Sequence, residues 1–124
     1  MKTRQLHFGY FLLSSFLLCF LSCVEQHDES LLIGQWKTDS WIINSSNARI
    51  NNKMDFNFNA DGYYELDYGS KKEKGKYWIS NDFLHTQEVD MAEKKVKLNL
   101  LVQDSIIFEM NRGGRLETVI LVKR

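Results

Sequence analysis

From Leu31 onward the apolar residues of this chain recur at every second position, and no other feature restricts its fold so strongly. Met54, Phe56 and Phe58 alternate with Asp55 and Asn57. Tyr64, Leu66 and Tyr68 alternate with Tyr63, Glu65 and Asp67; Val96, Leu98 and Leu100 alternate with Lys95, Lys97 and Asn99; Ile106, Phe108 and Met110 repeat the pattern. Successive side chains of a strand point to opposite faces, so each segment offers one apolar face and one wet face. A helix would need apolar positions three and four residues apart, and no sustained run of that kind is present.

Turn chemistry separates these stretches. Asn59, Ala60, Asp61 and Gly62 join two of them as a hairpin, with Gly62 free to take positive φ. Further turns are expected at residues 69–73, at Ser80, Asn81 and Asp82, at Gln103 and Asp104, and at residues 111–114. Residues 88–94 read as either a long loop or a short helical turn. With residues 35–43, 75–79, 83–87 and 116–123 as further strands, the chain holds about eight, the number at which a sheet closes into a small barrel. The sequence has no proline, which suits unbroken ladders because proline removes a donor. The expected fold is all-β: a single small antiparallel up-and-down β-barrel over residues 31–124.

The first segment reads as an address. Residues 1–5 are polar and basic, residues 8–20 are an apolar run broken only by Gly9, Ser14 and Ser15, and Leu21 and Ser22 precede Cys23. This is the plan of a secretory signal peptide, and the run is short for a transmembrane helix. Phe20-Leu21-Ser22-Cys23 resembles the lipobox of bacterial lipoproteins, with Phe20 where leucine is usual. The resemblance implies cleavage after residue 22 and acylation of Cys23, with palmitate-type chains holding the protein to a membrane. Each buried methylene contributes about 0.8 kcal/mol, so several chains anchor stably where one is marginal. Residues 23–30 would be a polar, flexible tether. Val24 is not the aspartate of an inner-membrane retention signal, so the expected place is the outer membrane, on its periplasmic or its surface side.

Charge and cysteine exclude several classes of function. Acids and bases number 16 each, and removing residues 1–22 takes Lys2 and Arg4 and no acid, leaving a net charge of −2. The basic runs at residues 71–76 and 94–97 are broken or flanked by Glu73 and Glu93, so they read as solvated hairpin chemistry and no nucleic-acid partner is expected. Both cysteines, Cys19 and Cys23, belong to the leader region, which leaves the domain without an internal disulfide or a thiolate metal cluster. His85 is the one histidine on an expected strand, and no His-x-His or His-x-x-x-His spacing supports a metal site. No nucleophile elbow, phosphate loop or Cys–His pair appears, so neither an enzyme nor a cofactor is expected. Glu65, Asp67 and Glu88 read as a wet strand face.

Leu32-Ile33-Gly34-Gln35-Trp36 carries the Gly-x-Trp that resembles the start of the first strand in lipocalins. Residues 58–63 and 98–107 are similar to two hairpins of bacterial lipocalin-like lipoproteins, so the resemblance spans nearly all of residues 31–124. It implies a lipocalin-like barrel in which Gly34 lets the chain bend and Trp36 plugs the closed end. A cation from the last strand, Arg124 or Lys123, would pack over Trp36 and contribute about 0.5 to 2 kcal/mol. It also implies a small hydrophobic ligand, whose walls would come from Trp41, Phe56, Phe58, Tyr64, Tyr77 and Phe108. The alternative is an envelope protein-interaction module of the inhibitor or immunity type, with a solid barrel and working loops at residues 45–52 and 88–94. The domain is shorter than a typical lipocalin, and its many aromatics are able to fill a small interior.

Overall fold

The computed structural model describes residues 27–124. The expected leader, the expected lipid attachment at Cys23 and tether residues 24–26 lie outside the described residues. A short 3-10 turn at Glu29–Leu32 precedes eight strands: β1 (Gly34–Ile43), β2 (Asp55–Phe58), β3 (Tyr63–Asp67), β4 (Lys72–Ser80), β5 (Phe83–Glu88), β6 (Lys94–Leu101), β7 (Ser105–Arg112) and β8 (Arg115–Lys123). Each strand pairs with the next and β8 pairs back onto β1, all antiparallel, so the sheet is a closed barrel. This is the all-β, eight-stranded up-and-down architecture that the alternation predicts.

The register explains which side chains meet inside. Trp36 lies opposite Phe56, Phe56 opposite Leu66, and Leu66 opposite Glu73, so one inward row crosses four strands. Phe56 stacks on Phe58 with ring centroids 5.2 Å apart, and meets Phe108 edge-on at 6.3 Å; Phe58 meets Tyr77 at 4.9 Å. Burying each such side chain contributes roughly 1.5 to 3 kcal/mol. Gly75 sits where β4 and β5 approach so closely that a Cβ would lie 2.1 Å from the Gln87 carbonyl oxygen. Only glycine fits there.

The structure corrects several local expectations. A bulge in β6 pairs Leu98 with Phe108 but Leu100 with Ile107. One extra residue shifts the phase, so Leu101 is buried and Leu100, expected inside, faces out. β4 begins at Lys72 instead of Gly75, which draws Glu73 out of the expected turn and into the strand. Of the two readings open for residues 88–94, the structure has the loop, at residues 89–93, closed by a Met91 N–H to Glu88 carbonyl bond. At the other end of the chain, Asp28, Glu29 and Ser30 fall within the expected flexible tether, yet Asp28 caps the 3-10 turn by accepting from the Ser30 N–H at 3.0 Å. Leu32, the last residue of that turn, is fully buried.

Candidate functional site

The barrel has two unlike ends. The β2–β3, β4–β5 and β6–β7 turns gather with residues 27–33 and Arg124 at one; the β1–β2, β3–β4, β5–β6 and β7–β8 loops gather at the other. At the first end Trp36 is fully buried and its indole N–H donates to the Leu32 carbonyl at 2.8 Å. Lys123 Nζ stands 4.5 Å from the Trp36 ring centroid and donates to the Ile33 carbonyl at 2.7 Å. Gly34 holds φ at +127°, and a Cβ there would meet Lys123 Nζ at 2.8 Å. This end is sealed.

The cation over Trp36 is therefore Lys123 and not Arg124. Glu117, Val119 and Leu121 face inward along β8, so period two brings Lys123 to the same face and turns Arg124 outward. There Arg124 reaches Asp55 at 3.7 Å.

At the second end an apolar slot of about 90 Å³ opens between Met54, Phe56, Leu66, Leu84, Val96, Phe108 and Met110. Above it a wider mouth of about 440 Å³ is bounded by Trp41, Asn52, Tyr68, Ser70, Lys71, Glu73, Lys94, Met110 and Arg112. The two hollows share Met54, Tyr68, Glu73, Lys94 and Met110 and so form one funnel. β2 is held at this rim by the Thr38 hydroxyl, which accepts from the Met54 N–H at 2.8 Å and donates to the Met54 carbonyl at 2.9 Å. Another hollow of about 250 Å³ lies beside Gln35, Asp55, Asn57, Glu65, Asp67 and Lys74, among mainly polar side chains.

Two carboxylates stand buried at the mouth. Glu73 is 3% exposed; it accepts from the Tyr64 hydroxyl at 2.6 Å, from Lys94 Nζ at 3.1 Å and from the Tyr68 hydroxyl at 3.4 Å. Glu117 is fully buried; it accepts from the Trp41 indole N–H at 2.7 Å, from Arg115 at 2.8 Å and from Arg112 at 3.3 Å. Arg112 also lies 5.8 Å from the Trp41 ring centroid. Burial raises both carboxyl pKa values, but the donated hydrogen bonds and nearby cations outweigh it, so both end below the ordinary value. Burial, reinforced by Glu73, pushes the Tyr68 hydroxyl up to about 12 and the Tyr64 hydroxyl higher still. At neutral pH the mouth thus holds two buried carboxylates, two protonated tyrosines and the cations Lys94, Arg112 and Arg115.

Of the six aromatics predicted as ligand walls, the structure places Phe56 and Phe108 in the slot and Trp41 in the mouth. Phe58, Tyr64 and Tyr77 are buried below in the packed core, and neither hollow is lined by them. The slot left inside by this packing, about 90 Å³, is small beside the roughly 300 Å³ at which drug-sized pockets begin. Glu73 and Glu117 are functional-site residues beyond the sequence expectation, in which Glu73 reads as solvated hairpin chemistry. The signal was present: Glu73 is in phase with Gly75 and Tyr77, and Glu117 with Val119 and Leu121. Glu65 and Asp67 lie on the outward phase of β3, as expected of a wet face, whereas Glu88 does not: it is in phase with Leu84 and Thr86 and stands at the mouth, 3.8 Å from Lys94 Nζ. His85 bonds Glu93 through Nδ1 and stacks on Trp78, with ring centroids 5.2 Å apart. Among the described residues no helix is long and apolar enough to cross a membrane.

No family model and no curated protein matches the chain. Among solved structures it is similar to a lipocalin-like protein from Bacteroides uniformis, with a TM-score of 0.57 and 16% sequence identity over 76% of this chain and 99% of that one. At that identity the likeness bears on fold, and the fold is lipocalin-like.

Proposed function

We propose that this chain is a lipid-anchored lipoprotein of the bacterial envelope whose barrel takes a small amphiphile at its open end. The observation that carries the reading is the funnel: an apolar slot of about 90 Å³ beneath a wider mouth rimmed by Lys71, Lys94 and Arg112. Small-molecule sites are mainly apolar with a few polar groups that fix orientation, and this arrangement has both parts in that order. The slot accepts a short apolar end and not a bulky one. Around the mouth Lys71, Lys94, Arg112 and Arg115 outnumber Glu73, Glu88 and Glu117 by one, which favours a head group that is anionic or accepts hydrogen bonds. The leader and Cys23 lipobox supply the anchoring half of the reading, with the outer membrane as its place.

Native mass spectrometry of the protein extracted from its own membrane tests both halves together. The reading expects an acylated N-terminus at Cys23 and a co-purifying small molecule that Val96→Phe, which fills the slot, displaces. An apo protein that also fails to bind a medium-chain carboxylate, followed through Trp41 fluorescence, would remove the ligand half. A protein-interaction module is the second reading, favoured by the filled core and by Val89 and Met91, 78% and 55% exposed on the β5–β6 loop. A stoichiometric protein partner lost on Met91→Ser would support it instead.

A further inference from the structure

We infer that the barrel stands with its sealed end toward the membrane that anchors it and its mouth turned away, so the ligand is exchanged with the facing compartment and not lifted from the anchoring leaflet. This inference rests on the lipid attachment at Cys23 proposed above. It follows from where His27 packs on the barrel and from how far a short peptide reaches. His27 is packed at the sealed end, its Nε2 3.7 Å from Asp82 in the β4–β5 turn. Four peptide steps separate it from Cys23, and fully extended they span at most about 14 Å.

The mouth is farther away than that. β1 runs ten residues from the sealed end to the mouth. At about 3.3 Å per residue and a strand tilt near 40°, it rises about 25 Å along the barrel axis. Presenting the mouth to the bilayer would need a tether that spans the barrel, and the available chain covers about half that distance. The turn also does not unwind freely to lend more length, because Leu32 is fully buried and Asp28 caps the residues before it.

The surface of the sealed end matches this placement in part. Ile33, Tyr63 and Val102 belong to it and are 40%, 47% and 38% exposed, apolar side chains available to a bilayer interface. Asp61, Asp82 and Asp104 occupy the same turns and disfavour anionic head groups. The bilayer it suits is therefore one with a neutral or zwitterionic surface.

The test uses the full lipidated protein in phosphatidylcholine vesicles carrying a head-group quencher. Once the leader is removed Cys23 is the sole cysteine, so an added cysteine takes a single fluorophore. Val102→Cys marks the sealed end and Met91→Cys the mouth. The expected result is several-fold stronger quenching at residue 102 than at residue 91. Equal quenching, or stronger quenching at 91, overturns the inference. A flexible twenty-residue Gly-Ser insert after Gln26 should weaken the contrast, since its root-mean-square span of about 25 Å frees the barrel to turn. An unchanged contrast would show that the tether does not set the orientation, and overturns the inference equally. Intact mass separates this from failure of the anchoring reading: a Cys23 without acyl chains removes the anchor itself.

Discussion

The two ends of the barrel are closed by opposite kinds of chemistry. At the sealed end Trp36, Leu32 and the stem of Lys123 pack an apolar plug whose one indole donor is satisfied by a backbone carbonyl. At the mouth Trp41 has the matching place near the far end of β1, but its indole donates to the buried carboxylate Glu117. Two tryptophans five residues apart on one strand thus serve different ends: one completes a dry core and the other orders an ion-pair cluster beside a cleft. Packing of the first kind is indifferent to pH, whereas the second depends on charges that acid removes. The mouth is therefore the end that loosens first.

The largest effect expected is at the plug. Trp36→Ala should cost about 3 to 5 kcal/mol, read as a lower urea midpoint, because a fully buried indole leaves a cavity that the closed sheet cannot collapse. Acid should act on the mouth instead. Both Glu73 and Glu117 have folded-state pKa values below the ordinary one, so their stabilisation is complete above the unfolded value near 4.3 and is lost as pH falls through the folded values. The urea midpoint should hold from neutral pH to about 5 and then fall, and a Glu73→Gln, Glu117→Gln double variant should show a shallower acid limb. Tyr64 and Tyr68 carry the opposite sign, with stability kept below about pH 10 and lost as pH rises through their raised values.

Glu117→Gln alone, assayed at pH 7, should cost about 1 to 3 kcal/mol, since an amide nitrogen would then face two guanidinium groups. Gly34→Ala should cost a similar or slightly smaller 1 to 2 kcal/mol, about the penalty of a side chain held at positive φ, and should dislodge Lys123. The smallest effect, about 0.5 to 2 kcal/mol in thermal or urea unfolding, is expected for Lys123→Gln. If Arg124→Gln cost as much, the assignment of the Trp36 cation to Lys123 would be wrong.

The fold was open to sequence reading because alternation and turn chemistry are local and agree with one another. Trp36, Phe56 and Phe108 could be placed inside from phase alone. The β6 bulge could not, because one inserted residue leaves the apolar composition of Leu98, Leu100 and Leu101 unchanged while reversing which of them faces in. The mouth was hidden for a different reason. A glutamate among lysines looks like surface charge; its phase with Gly75 and Tyr77 points inward, but it takes strand pairing to put Glu73 in one row with Trp36, Phe56 and Leu66. The same phase that brings Lys123 to Trp36 was legible in β8, where alternate residues from Glu117 lead to it. Which of two adjacent cations occupied the position was a matter of counting in twos.

Seven of the eight ladders join neighbours in sequence, and only β1 with β8 links the two extremities of the domain. That seam must wait for nearly the whole polypeptide, because its loop-closure entropy is the largest of any pair. A meander of hairpins would assemble progressively, and the final zippering of β1 onto β8 would convert a curled ribbon into a cylinder. Until that moment both margins of the ribbon expose unsatisfied amides and carbonyls. Joining the margins removes them, so the fold acquires resistance to edge-to-edge aggregation in its last topological step.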